Sequence, residues 1–218
     1  MKKRNDSSIR RIQTLKARLK DKTECLNGDS MDEQNLIYDW NVVDYEYSRD
    51  SANHPHGVWF DDETLRDGLQ SPSALNPSID QKIELLTYME KLGVQKVDLG
   101  LPGAGPFHLE HIDAMLSHIR ENDFQIRPGA AVRTLMNDIE PLVDLQSKHE
   151  MQIQASAFLG TSPIRQFTEG WTMDKLVSTM EKAVSYAVDN DIPVMFVTED
   201  TTRSKPEDVK LIYQRAMD

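Results

Sequence analysis

The sequence predicts an α/β fold built on a parallel sheet. From position 58 onward, short apolar runs alternate five times with longer segments in which apolar residues recur every three or four positions. Consecutive strand–helix units of this kind need right-handed crossovers between parallel strands. Two architectures satisfy the pattern, an open doubly wound sheet and a (β/α)8 barrel. The sequence has no Gly-x-Gly-x-x-Gly turn after the first strand, which weakens the dinucleotide-binding form of the open sheet.

The elements follow in order. Expected strands are Val58–Phe60, Val94–Leu99, Gln125–Val132, Gln152–Phe158 and Ile192–Val197. Expected helices are Ile79–Leu92, Leu109–Asn122, Ile139–His149, Met173–Asn190 and Pro206–Met217. In the first helix Ile83, Leu85, Leu86, Met89 and Leu92 share one side, and Gly93 follows as a C-cap. Pro206 suits a first helical turn, with Ser204 before it as the expected N-cap.

Residues 1–55 differ and are expected to form a partly flexible N-terminal extension to a domain spanning 56–218. Ile9, Ile12, Leu15 and Leu19 repeat at helical spacing among Arg and Lys, and a polar stretch then leads to Tyr38, Trp40, Tyr45 and Tyr47. The acidic residues after position 20 argue against a transit peptide.

A net charge of −11 argues against nucleic acid as a partner, because a phosphate-binding surface should be basic. The single cysteine, Cys25, excludes an internal disulfide framework and fits a reducing compartment. No apolar run approaches the ~20 residues that span a bilayer, and the N-terminus lacks the apolar core of a secretory signal. The expectation is a cytoplasmic protein with no membrane partner.

The chemistry is concentrated in Asp62-Glu63-Thr64-Leu65-Arg66-Asp67-Gly68-Leu69-Gln70. This stretch lies just past the carboxyl end of the first expected strand, where α/β proteins place their sites. A carboxylate such as Asp67 is a hard ligand for a divalent cation, and a guanidinium such as Arg66 can stabilise charge developing on a substrate. An ordinary charged turn would use the same residues for surface ion pairs of little value.

The pattern Asp-x-Thr-Leu-Arg-Asp-Gly-x-Gln resembles the signature of the barrel enzymes that include isopropylmalate, homocitrate and citramalate synthases and, more distantly, hydroxymethylglutaryl-CoA lyase. The resemblance implies a partial (β/α)8 TIM barrel of about five βα units with an N-terminal extension. It implies that Asp67 ligates a metal, that Arg66 stabilises an enolate, and that Gln70 lies near the substrates.

The later rim segments extend the resemblance. Asp98-Leu99-Gly100-Leu101-Pro102 is similar to a family Glu-x-Gly-x-Pro segment, with Asp98 in place of Glu. Arg133 matches an arginine that holds the carboxylate of a 2-oxo acid. Arg127, before Pro128, is the weaker candidate. Ser156 to Arg165 resembles His-x-Phe-x-x-Thr-Ser-x-Ile-His; Ser156 and Arg165 replace the two histidines, while Thr161 and Ser162 remain as substrate-binding hydroxyls. Glu199-Asp200-x-x-Arg203 resembles a family Glu-Asp-x-x-Arg, which implies that Glu199 helps polarise or deprotonate the reacting groups. His108 and His111 read as surface or interface residues.

The implied function is a 2-isopropylmalate synthase-like, metal-dependent Claisen condensation of acetyl-CoA with a 2-oxo acid in amino-acid biosynthesis. The divalent metal would be Zn, Mn or Mg, acetyl-CoA the co-substrate, and the complete enzyme a homodimer. The alternatives are a lyase-like carbon–carbon cleavage or a non-catalytic barrel fragment. A family His-x-His pair from a later strand has no counterpart except His54-Pro55-His56, which precedes the first strand and reads as a chance match. The chain alone is therefore expected to be inactive.

Overall fold

A computed structural model describes residues 59–218, together with Leu36. The basic segment, the aromatic cluster, Cys25 and His54-Pro55-His56 lie outside the described residues, as does the expected 1–55 extension apart from Leu36. Five strands form one sheet: β1 (Asp61–Asp62), β2 (Lys96–Asp98), β3 (Arg127–Arg133), β4 (Gln154–Leu159) and β5 (Val194–Thr198). Their order is β1-β2-β3-β4-β5 and every pairing is parallel.

Six α-helices alternate with them: α1 (Ile79–Leu92), α2 (Pro106–Glu121), α3 (Met136–His149), α4 (Pro163–Glu169), α5 (Met173–Asp189) and α6 (Pro206–Met217). Helix neighbours follow the chain, with α1 on α2, α2 on α3, α3 on α5 and α5 on α6. A doubly wound sheet reverses its strand order and divides its helices between two faces. Here neither happens, and the sheet is part of a (β/α)8-type barrel with its helices outside.

Local chemistry accounts for the helix ends. Ser78 and Gln81 form a reciprocal capping box at the start of α1, and Gly93 closes it in the left-handed conformation. Ser162 and Thr172 cap α4 and α5 with side-chain oxygens. Ser204 does not cap α6. Lys205 holds that place, and Ser204 is buried with its hydroxyl donating to the Asp200 carbonyl.

The core lies between the outer sheet face and the helices. Leu86 and Met89 of α1, Ile112, Met115 and Leu116 of α2, and Ile139 and Leu142 of α3 pack onto Val97, Ala130, Val132 and Ala155. Small residues on β3 and β4 let α3 and α5 approach closely. A second cluster joins Leu159, Leu176, Met180 and Ile212. Burying each large side chain contributes about 1.5–3 kcal/mol before the entropic cost of folding.

Three differences from the sequence reading have physical causes. Strands β2 to β5 begin about two residues later than expected, because each pair of residues leading into them carries an apolar side chain, Val94, Ile126, Ile153 or Ile192, that enters the core ahead of the paired register. The first strand, expected at Val58–Phe60, is observed at Asp61–Asp62; Phe60 is 69% exposed, its carbonyl accepts from the Lys96 amide and its own amide donates to the Gln95 side chain rather than to a strand. The short helix α4 was not expected. Ser162-Pro163 before it and Gly170 after it are the start and stop signals that mark it.

Pro128 occupies a central strand, where proline is usually excluded. The amides of Arg127 and Ala131 donate toward β2, so the missing Pro128 donor faces β4. Pairing with β4 begins only at Gly129 and Gln154, which leaves no ladder bond to lose.

Candidate active site

The carboxyl ends of the strands converge on one rim. After β1 the chain makes a turn closed by the Arg66 and Gly68 amides on the Glu63 carbonyl, then a short 3-10 helix, Asp67–Gln70. Leu65 is buried and anchors the turn, so Arg66 emerges at a fixed place. The guanidinium is surrounded by carboxylates. It forms an ion pair with Glu63, lies 3.4 Å from Asp67 Oδ1 through Nη1, and lies 3.4 Å from Asp98 Oδ2 through Nε.

Asp98 is the most perturbed carboxyl of this group. It sits at the end of β2, 3% exposed, and its Oδ1 accepts from the Gly100 amide at 2.9 Å. Its Oδ2 and Arg66 Nε are both buried without a hydrogen-bond partner. Burial pushes the Asp98 pKa up to about 6, and Glu63 adds to the rise, while the Gly100 amide and Arg66 oppose it. Two buried groups of opposite charge just beyond hydrogen-bond range are poised to accept a small shift or a ligand.

Arg66, Asp67, Gln70 and Glu199 line one cavity of about 390 Å³, with Glu63 beside them. Strand alternation supplies its floor, because Ser156 and Phe158 of β4 and Met195 and Val197 of β5 face inward. Glu199 is half-exposed and stands 3.5 Å from Arg165 Nη2, whereas Asp98 is the buried carboxyl of this rim.

Arg133 stands apart. Asp138, 2% exposed, receives its backbone amide at 3.1 Å, its Nε at 2.7 Å and its Nη2 at 2.7 Å. This pairing raises the Arg133 pKa. Arg133 lines a neighbouring cavity of about 290 Å³ that shares Phe158 and Glu199 with the first and includes Trp171 and Lys175. A two-pronged grip on a carboxylate is not open to it here, since two of its nitrogens already hold Asp138.

Thr161 and Ser162 are fully buried and line neither cavity. Both amides donate to the Asp200 carboxylate, at 2.8 and 3.0 Å. The Thr161 hydroxyl meets Ser204 Oγ at 2.7 Å, and the Ser162 hydroxyl caps α4. In this structure they brace the β4 and β5 loops against each other. Arg127 lies at the opposite end of its strand, stacked 4.4 Å from the Trp59 ring. His108 is exposed and His111 half-buried.

Four carboxylates, Glu63, Asp67, Asp98 and Glu199, gather around Arg66 and the cavity. That excess of negative charge would repel an anionic substrate unless a cation balanced it. Among the described residues, however, no group of three His, Cys, Asp or Glu side chains could hold a metal ion. Asp67 is thus a single candidate ligand, not a metal centre. Asp98 and Glu63 were the residues sequence reasoning undervalued. The signals for Asp98 were its place between the apolar Val97 and a glycine-rich turn and its match to the Glu of the Glu-x-Gly-x-Pro segment.

Comparison with known proteins agrees with this geometry. The HMGL-like family model matches residues 58–218. Similar proteins include the 2-isopropylmalate synthases of Lactococcus lactis subsp. cremoris, 30% identical over 164 residues, and of Microcystis aeruginosa, 33% identical over 167. These matches cover 74% and 75% of this chain and 30% of each relative. The homocitrate synthase of Sulfolobus acidocaldarius is 28% identical over 144 residues, covering 66% of this chain and 30% of that protein. The chain thus spans under a third of the length of these relatives. Its fold is similar to the crystal structure of the HMG-CoA lyase from Brucella melitensis, with a TM-score of 0.54 and 15% identity over 73% of this chain and 57% of that one. The parallel half-barrel, the Arg66-Asp67 turn and the family match together make this chain a member of the HMGL-like family.

Proposed function

We propose that this chain carries part of the site of a 2-isopropylmalate synthase-like acyltransferase, which condenses acetyl-CoA with a 2-oxo acid. The observation that carries this reading is the convergence of Arg66, Asp67, Gln70 and Glu199 on one cavity at the carboxyl ends of the strands.

In this reading Glu199 accepts a proton from the acetyl methyl group, and Arg66 stabilises the enolate oxygen through fixed donors. Glu63 and Asp98 hold the guanidinium in place, so little reorganisation is needed as charge develops. Gln70 donates to a substrate oxygen. Arg133, held by Asp138, offers Nη1 at the end of its guanidinium to the carboxylate of the 2-oxo acid. Thr161 and Ser162 act through the loop they brace, a smaller role than direct substrate binding. Asp67 would contribute one ligand to a divalent metal, which would supply Lewis-acid polarisation of the keto group; the remaining ligands would have to come from outside the described residues. The complete enzyme is proposed to be a homodimer.

The test, made on a complete enzyme that carries this chain together with the remaining metal ligands, is release of free CoA from acetyl-CoA across a panel of 2-oxo acids with Mg, Mn or Zn. The expected result is release that depends on both the 2-oxo acid and the metal, and that Arg66→Gln lowers by at least about 100-fold. No release with any acid would overturn the synthase reading. The stretch Gly68-Leu69-Gln70 favours a second reading, a carbon–carbon lyase. Cleavage of 3-hydroxy-3-methylglutaryl-CoA without condensation would support it.

A further inference from the structure

A second recess of about 270 Å³ lies behind the Arg66 turn, between α1 and the start of α2. It shares Arg66, Gln70 and Leu101 with the first cavity, but its own polar side chains are different: Asn76, Lys82 of α1, and His108 and His111 of α2. Lys82 is only 4% exposed. Among the described residues its ammonium has no hydrogen-bond or ion-pair partner, and the ring of Phe107 is 5.9 Å away. Lysines buried to this extent are normally paired.

His111 repeats the pattern. Its Nδ1 is buried without a partner, and its ring stacks on Phe107 at 4.1 Å. Burial lowers the pKa of both residues, and Lys82 and His108 lower that of His111 further. Glu110 opposes this more weakly. The start of α2 borders the recess through Ala104 and His108; Pro106 has no amide hydrogen and the His108 and Leu109 amides bond the Gly105 carbonyl, which leaves the Phe107 amide free among the described residues. Gly105 precedes the helix at φ 129°, and no side chain caps its first turn. An uncapped helix N-terminus carries about half a positive charge.

We propose that this recess binds a phosphate-bearing small molecule through Lys82, His111 and the N-terminus of α2. A phosphate dianion is favoured over a single carboxylate because the recess presents two side-chain donors and a helix terminus, with no carboxylate lining it. Lys82 supplies a compact ammonium that can rotate to meet any of the oxygens. The unpartnered Nδ1 of His111 gains an acceptor when the imidazole carries a proton there. The site borders the acyl-transfer cavity through Arg66 and Gln70 but requires neither Asp67 nor Glu199.

The experiment is a titration of the full chain with inorganic phosphate at constant ionic strength, followed by calorimetry and by the imidazole NMR signals of His108 and His111. Saturable binding that shifts His111 is expected. Lys82→Met keeps the buried stem and should weaken binding at least tenfold without lowering Tm, and His111→Leu should weaken it as well. Glu199→Gln, which tests the acyl-transfer reading and lies outside the recess, should leave phosphate binding within about threefold. A non-saturating response, equal affinity in Lys82→Met, or equal binding of acetate would overturn the proposal.

Discussion

Asp98 illustrates how much a single position can decide. The folded pKa of about 6 lies above the ordinary 3.8, so folding favours the protonated form. The associated stability is fully present below about pH 3.8 and is lost as pH rises through about 6, an effect on the order of 3 kcal/mol. Asp98→Asn keeps an oxygen for the Gly100 amide and removes the buried charge. It should raise Tm at pH 8 relative to the native chain, and the gain should fade below pH 5; a gain independent of pH would show that Asp98 is not the group responsible. Lys82 shifts in the opposite sense, because its folded pKa is lowered, so its contribution to stability rises with pH. Asp67 is testable alone. Manganese should bind weakly to the native chain and not to Asp67→Ala, read by electron paramagnetic resonance, and survival of binding in the variant would remove Asp67 as a ligand.

At the scale of elements, the loops are held by carboxylates that a sequence alone shows only as charge. Asp200 receives two amides from the β4 loop, and Asp138 fixes Arg133 while approaching Gly103 closely. A β-carbon added at Gly103 would lie 2.4 Å from Asp138 Oδ1. Gly103→Ala should therefore cost about 1–3 kcal/mol in denaturant unfolding through overpacking, and it should disturb Arg133 through Asp138. Capping contributes on a smaller scale: Ser78→Ala should lower stability by about 1 kcal/mol, because it removes half of a reciprocal pair. The helices were legible in the sequence because each carries a long apolar period. The bounds of α1 and α6 agree with the expected ones, and α5 differs only in its last residue. Helix α4 escaped because seven residues are too few for a period to stand out. The strand starts were less legible because an apolar residue entering the core looks the same whether or not its amide is paired.

At the scale of the whole molecule, the sheet leaves two edges. Among the described residues β1 pairs only with β2 and β5 only with β4. Unpaired parallel strands template association, so this chain should self-associate in solution. Light scattering that showed a monodisperse monomer with a sharp thermal transition would contradict that. No helix among the described residues is long and apolar enough to cross a membrane.

By itself the sequence determined the strand–helix alternation and the place of the Arg66-Asp67 turn beyond the first strand. Both follow from local periodicity and chain order, which involve only neighbours along the chain. Tertiary structure alone decided which charged groups meet. Arg66 finds Asp98 across two strands, Arg133 is held by Asp138, Thr161 and Ser162 face Asp200, and Lys82 is buried beside His111. Such pairings depend on the stacking of successive βα units, and Coulomb and hydrogen-bond energies change steeply over a few ångströms, a distance that spacing along the chain does not specify.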